Sequence, residues 1–121
     1  MVKQILTSQT ATAYSEAVDI QNLRCITLQF IAALISSGNG VFTVEVSNDG
    51  SNWVALNTLI DNVTNTNAQN LTRVASKTLS SNTSVVVSLD DSSWKTLRVK
   101  VTVTTDGSYS AWISGNKIAL R

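Results

Sequence analysis

The sequence predicts an all-β protein, an antiparallel β-sandwich of jelly-roll type with about eight strands, formed by a single domain over residues 1–121. Three observations predict this class. Apolar residues recur at every second position in several segments, and glycine-containing turns separate those segments every 8–12 residues or so. No segment has a convincing helical period, although residues 71–79 are ambiguous.

The strands follow from this alternation, which is strongest in residues 95–104. Four aliphatic side chains there share one face, and threonine, arginine and lysine side chains occupy the other. Such a strand has one dry face and one wet or contact face, as the strands of antiparallel sheets do. We expect strands at about residues 2–7, 16–20, 24–34, 41–47, 53–59, 71–78, 83–89, 95–104 and 109–119, and a long polar loop at 61–70.

Three turn sequences separate these strands: SSGNG at residues 36–40, NDG at 48–50 and TDG at 105–107. Asn-Gly and Asp-Gly tolerate the positive φ that tight hairpins require. The turns therefore indicate hairpins between consecutive strands.

Composition excludes several function classes. The net charge is +1 and charged residues are 14% of the chain, against about 25% in a typical domain. Serine, threonine and asparagine together number 42 of the 121 residues. We therefore expect no nucleic-acid partner and no membrane partner. Neutral hydroxyl and amide faces are typical of a chain that packs against neighbouring subunits, and also of lectin-like modules.

The chain has few of the side chains that catalysis and metal binding commonly use, because it has no histidine and a single cysteine, Cys25. Histidine is the commonest general base and a common metal ligand, so Ser-His-Asp and Cys-His sites are excluded. We expect no enzymatic activity, no cofactor and no metal, and we expect Cys25 to be a small buried hydrophobe. The amino-terminal residues lack the apolar core of a signal peptide, which predicts synthesis in the cytoplasm without export.

The stretch SNDGSNW at residues 47–53 is the first candidate site. Asn48, Asp49 and Asn52 are candidate ligands for calcium or a sugar, and Trp53 is a candidate stacking platform. One carboxylate with two amides is few for calcium, which takes six to eight oxygens, usually from several carboxylates. The structural interpretation is that Asn48 and Asp49 form a turn and that Trp53 begins the next strand and caps the core.

Other candidates are aromatic or charged. The pair Asp90–Asp91 is the sole acidic pair, but adjacent strand residues point apart and a turn would leave both solvated, so catalysis is not expected. Strict alternation places Trp94 and Trp112 opposite the aliphatic faces of their strands, as contact residues; core capping is the alternative. Arg98 and Lys100 are expected to be solvated.

Sheet edges give one further expectation. Exposed edge strands promote aggregation unless proline, inward charges or a partner protects them. The chain has no proline and few charges. A closed oligomer hides edge strands, so we expect a homo-oligomer.

Four segments carry a resemblance to a known group: SEAVDI at residues 15–20, SNDGSNW at 47–53, WKTLRVK at 94–100 and GNK at 115–117. Together they resemble small β-sandwich structural proteins of tailed bacteriophages. The resemblance covers about two thirds of the chain, and its motifs are mainly folding signals. It implies a virion component: a capsid decoration (cement) protein bound to the major capsid protein or another virion protein, or a small tail or fibre part. Small decoration proteins commonly form trimers, so the resemblance favours a trimer for the homo-oligomer.

Two of these segments are also similar to discoidin-like galactose-binding domains, which carry a related Asp-Gly hairpin and a later basic strand. The chain lacks their early tryptophan and paired cysteines. This second resemblance implies a carbohydrate-binding module with Trp53 or Trp94 as the stacking platform, and it is the alternative to the virion protein.

Overall fold

The protein is an antiparallel β-sandwich, as the sequence predicts. The computed structural model describes residues 1–61, 72–89 and 93–118. Within these ranges twelve strands form two sheets. The strands are β1 Val2–Gln9, β2 Ala13–Tyr14, β3 Val18–Asp19, β4 Leu23–Ala33, β5 Asn39–Ser47, β6 Val54–Ala55, β7 Leu59–Asp61, β8 Thr72–Val74, β9 Lys77–Leu79, β10 Thr83–Leu89, β11 Thr96–Thr104 and β12 Ser108–Lys117.

The strand order is that of a jelly roll. Sheet I has the order β1-β12-β4-β10-β7-β8. In sheet II, β11 and β5 pair at the centre, β2 and β3 both flank β11, and β6 and β9 both flank β5. Counting β2 and β3 as one position, eight positions make the roll, and β6, β7 and β8 are additions between β5 and β9. Six of the twelve described strands have only two or three residues, which is why sequence patterning indicates fewer strands.

The predicted alternation decides which side chains enter the core. In β5, Phe42, Val44 and Val46 are buried between the sheets, whereas the intervening residues are half-buried on the outer face. Strand β11 buries Leu97 and Val99 in the same way. Because β5 and β11 are paired along their whole length, their aliphatic faces form one continuous inner surface of sheet II.

Aromatic rings join the two sheets at the centre of the core. Phe30 of β4 stacks on Phe42 of β5, with ring centroids 4.4 Å apart and planes 10° from parallel. Tyr109 of β12 meets Phe42 edge-on at 6.1 Å. All three rings are fully buried. Gly40 makes room for them, since a Cβ at that position would lie 2.5 Å from the Tyr109 ring.

The turns differ in part from expectation. Residues 48–50 do connect the paired strands β5 and β6, and Gly50 has a φ of +78°. The turns at 36–40 and 105–107 instead carry the chain from one sheet to the other, so the hairpins indicated there are wrong. Asp106 links these two crossings, because its carboxylate accepts backbone N–H bonds from Ser36 at 3.1 Å and Gly38 at 2.9 Å. These bonds hold the pKa of Asp106 below its usual value, with the Ser36 bond as the largest contribution.

The sheet edges are blunted by the fold itself. Strand β1 has two register shifts in its pairing with β12, and Ser8 within it has a φ of +46°. The strands at the other edges have two or three residues. Short or bulged edges are common protection against edge-to-edge pairing. The edges therefore do not by themselves require an oligomer, and the trimer stays a prediction.

Cys25 is exposed, so its expected burial is wrong. It lies in β4 on the outward side, and its φ is +55°. The partner strand shifts register opposite this point, between Ser114 and Asn116. Alternation with Thr27 and Gln29 places Cys25 outward, and the bulge turns Arg24 outward as well.

Among the described residues no helix is long and apolar enough to span a membrane.

Candidate functional site

The loop at residues 47–53 is organised around Asp49. One carboxylate oxygen, Oδ1, accepts hydrogen bonds from the backbone N–H groups of Ser51 and Asn52, both at 2.8 Å, and from the Ser47 hydroxyl at 2.9 Å. The other, Oδ2, accepts from Nδ2 of Asn52 at 2.7 Å. The Ser47 hydroxyl in turn accepts from the N–H of Gly50 at 2.9 Å.

These bonds set the electrostatics of the loop. They hold the pKa of Asp49 far below its usual value, with the backbone N–H of Asn52 contributing most and its side-chain amide next. The carboxylate is ionised and both its oxygens already serve the turn. The described residues contain no group of three or more His, Cys, Asp or Glu side chains placed to hold a metal ion. The turn interpretation of Asp49 and Asn52 therefore describes the geometry best.

Asn48 fastens this loop to the next long strand. Its Oδ1 accepts the backbone N–H of Lys95 at 2.9 Å, and the Thr96 hydroxyl donates to the carbonyl of Ser47 at 2.9 Å. Lys95 and Thr96 lie where β11 begins. Asn48 thus positions the loop against β11 through a bond between segments far apart in the sequence.

Trp53 lies on the outer face of sheet II, where it covers Arg98. The Arg98 guanidinium carbon is 4.4 Å from the Trp53 ring centroid and 4.2 Å from that of Tyr14, so the guanidinium is sandwiched between two rings. Its Nε donates to Oε1 of Glu45 at 2.6 Å. We call Tyr14, Glu45, Trp53 and Arg98 the Arg98 stack. Lys100 lies nearby, with its Nζ 5.3 Å from the Tyr14 centroid.

Two expectations are corrected here. Trp53 does not cap the core, because its ring lies against Arg98 outside sheet II. Arg98 is not simply solvated, since its side chain is 25% exposed and that of Glu45 is 17% exposed. Sequence reasoning missed Tyr14 and Glu45 altogether. Glu45 lies directly opposite Arg98 in the pairing of β5 with β11, but that pairing joins residues 53 positions apart, and local patterns carry no signal for it.

Trp94 lies just before β11 and packs against the core cluster. Its other side borders an open groove of about 550 Å³ at one end of the sandwich, together with Asn48 and Val54. Val54 is 66% exposed. The core-capping alternative accounts for the buried part of Trp94, and a contact role for its groove side stays a prediction.

Trp112 is on the opposite side of the molecule. It points outward from sheet I, as alternation predicts, because its neighbours Ala111 and Ile113 are fully buried. Pairing places Trp112 between Gln4 of β1 and Gln29 of β4. The ring borders a shallow groove of about 160 Å³.

The six candidate residues therefore do not form one site. Asn48, Asp49 and Asn52 share the loop at 47–53, and Trp94 lies at the end of the sandwich beside Asn48. The other two lie on separate outer faces, Trp53 on sheet II and Trp112 on sheet I. The pair Asp90–Asp91 lies outside the described residues, as does most of the predicted loop at 61–70.

Comparison with known proteins adds a fold relationship. No family model matches the chain, and no curated protein matches it significantly. The crystal structure of SPBc2 prophage-derived protein YomS is similar, with a TM-score of 0.62 and 10% sequence identity. The similarity covers 96% of this chain and 92% of that chain. At this identity the likeness establishes a shared fold, extending over nearly the whole of both chains.

Proposed function

We propose that this chain is a non-enzymatic structural protein of a phage particle, most specifically a capsid decoration (cement) protein that binds the outer surface of the head and stabilises it. The observation that carries the proposal is the end-to-end fold similarity to a prophage-derived protein. The proposal also agrees with the independent resemblance of residues 47–53 and 94–100 to phage sandwich proteins.

The surface chemistry supports a role in assembly. Long charged side chains are costly to order and desolvate at an interface, and protein interfaces are depleted in them at the core. Serine, threonine and glutamine are prominent on the outer face of sheet I, and the charged side chains Glu45, Arg98 and Lys100 are grouped on that of sheet II. A face such as that of sheet I suits a permanent contact with the major capsid protein or another virion protein. The protein is then made in the host cytoplasm and resides in the virion, as a homo-oligomer with a trimer favoured.

The described carboxylates support a structural role over chemistry. Asp49 and Asp106 each organise a turn. Asp61 pairs with Lys77 at 2.6 Å, and Glu45 pairs with Arg98. Acid–base catalysis needs a carboxyl group within reach of a substrate and with a pKa near the working pH. A general acid must hold a proton at the working pH, and the lowered pKa values of Asp49 and Asp106 keep both groups ionised near neutral pH.

Co-sedimentation tests the proposal. Purified protein is mixed with heads and, separately, with tails from the phage that encodes it, and each mixture is run through a sucrose gradient. The decoration role predicts saturable co-migration with heads and none with tails. Co-migration with tails alone would identify the small tail or fibre component instead. Protein that stays at the top of both gradients would reject the virion assignment.

A further inference from the structure

The outer face of sheet I has an unusual surface composition. On its strands β1, β12, β4 and β10, the outward side chains from the row containing Val2 to the row containing Ile31 are all uncharged. We call this set the sheet I face. Its members are Val2, Gln4, Thr27, Gln29, Ile31, Ser84, Val86, Ser88, Ser110, Trp112 and Ser114. The charged Arg73 lies in the Val2 row as well, but on the edge strand β8.

Trp112 is the centre of this face. Strand pairing places Gln4, Trp112, Gln29 and Val86 in one row across four strands. Side chains directly opposite on paired strands have Cβ atoms about 5 Å apart. The row is therefore a strip in which an indole ring is flanked on both sides by primary amides.

The polar groups around Trp112 have no partners within the described part of the chain. None of the side chains of Gln4, Thr27, Gln29 and Ser114 makes a hydrogen bond there. The Arg98 stack differs in this respect, because its indole is covered by a guanidinium and its charges are paired. Of the two tryptophans on the outer faces, Trp53 has a cation on its ring, and Trp112 has none among the described residues.

From this arrangement we infer that the sheet I face binds a neutral saccharide. The apolar face of a sugar ring stacks on the Trp112 indole, as apolar groups do on large aromatic surfaces. The hydroxyl groups around the ring exchange hydrogen bonds with the amide of Gln29 and the hydroxyls of Thr27 and Ser114. The groove of about 160 Å³ that these residues border receives the ring.

The charge pattern selects this class of ligand. An anionic or cationic ligand would lose its hydration on a face that offers no countercharge, which is costly. A neutral saccharide brings both donors and acceptors, so it satisfies amides and hydroxyls that an apolar partner would leave unpaired. This inference goes beyond the proposed virion function and assigns the stacking role to Trp112, in place of the Trp53 or Trp94 expected from the sequence.

A glycan array tests the inference. The array carries neutral oligosaccharides of glucose, galactose, mannose and N-acetylglucosamine, with sialylated and sulfated counterparts as charge controls. Wild-type protein should bind one or more neutral members, and affinities are then measured by isothermal titration calorimetry. Trp112→Ala should weaken binding about tenfold or more, from loss of stacking area. Trp112→Phe should restore part of the affinity.

Two controls separate binding from folding. Trp53→Ala removes an indole from sheet II and should leave saccharide affinity within a factor of two or so, since sheet I is untouched. Gln29→Ala, which does not alter the indole, should weaken binding several-fold through the lost amide bonds. In a Trp53→Phe/Trp94→Phe variant, the emission of the remaining indole should shift to shorter wavelength on binding.

The inference is overturned if wild-type protein binds no neutral glycan, if it prefers the sialylated or sulfated members, or if Trp112→Ala binds as tightly as wild type. A Trp112→Ala variant that loses attachment to phage heads, with no glycan bound by wild type, would assign this face to the capsid contact. Binding to heads without binding to any glycan would therefore refute this inference and would still agree with the proposed function.

Discussion

Replacing Arg98 with alanine should destabilise the fold by about 2–3 kcal/mol. The guanidinium lies 4.2 Å from one ring centroid and 4.4 Å from another, and each cation–π contact contributes about 0.5–1 kcal/mol. The side chains of the ion pair are 25% exposed for Arg98 and 17% exposed for Glu45. We therefore expect the pair to contribute more to stability than the roughly 0–1 kcal/mol of a typical surface ion pair. Removing Arg98 also leaves the mostly buried carboxylate of Glu45 without its partner.

Urea unfolding followed by tryptophan fluorescence measures this change. For a chain of 121 residues, a loss of about 2–3 kcal/mol lowers Tm by roughly 8–12 °C. Arg98→Lys keeps the charge but not the planar group, so it should lose roughly half as much. A double-mutant cycle with Trp53→Ala should give a coupling of about 0.5–1 kcal/mol. An Arg98→Ala variant within about 0.5 kcal/mol of wild type would refute the stabilising role of the stack.

Three further predictions concern the turns, the core and the exposed thiol. The pKa values of Asp49 and Asp106 are lowered by folding. Their carboxylates therefore stabilise the folded state above the unfolded pKa near 4, and this stabilisation is lost as the pH falls through the folded values. Urea midpoints should drop between about pH 4 and pH 2, and the drop should be smaller in Asp106→Asn. Gly40→Ala should prevent folding or cost several kcal/mol of stability, because its Cβ would lie 2.5 Å from the buried Tyr109 ring. A Cβ at Gly50 would meet no atom within 4 Å, so Gly50→Ala should cost only about 1–2 kcal/mol, for its φ of +78°. Equal losses of stability in urea titrations of the two variants would contradict this prediction. Cys25 is exposed, so Ellman's reagent should label native protein without denaturant, and protection until unfolding would place the thiol inside.

The inner faces of the sandwich are predictable from the sequence, because a strand with one buried face must alternate. Val44 and Leu97 are assigned correctly by parity alone. The same parity places Cys25 on the polar side with Thr27 and Gln29. The general tendency of cysteine to be buried pointed the other way, and in this strand the local pattern is the better guide.

Contacts between distant strands are not predictable in this way. Trp53 covers Arg98 only because β5 pairs with both β6 and β11, and this arrangement depends on the whole jelly roll. The same holds for Gln4 and Gln29, which flank Trp112 through strands β1 and β4. Turn sequences show that the chain bends, but not whether the next strand pairs with the previous one or crosses to the other sheet.

The most direct test of the account is the thermal stability of phage heads. Heads lacking this protein are heated with a DNA-binding dye, with and without added purified protein, and the temperature of DNA release is recorded. The account predicts that added protein binds the heads and raises the release temperature by several degrees, saturating with protein concentration. Heads that bind no protein and release DNA at an unchanged temperature would contradict it.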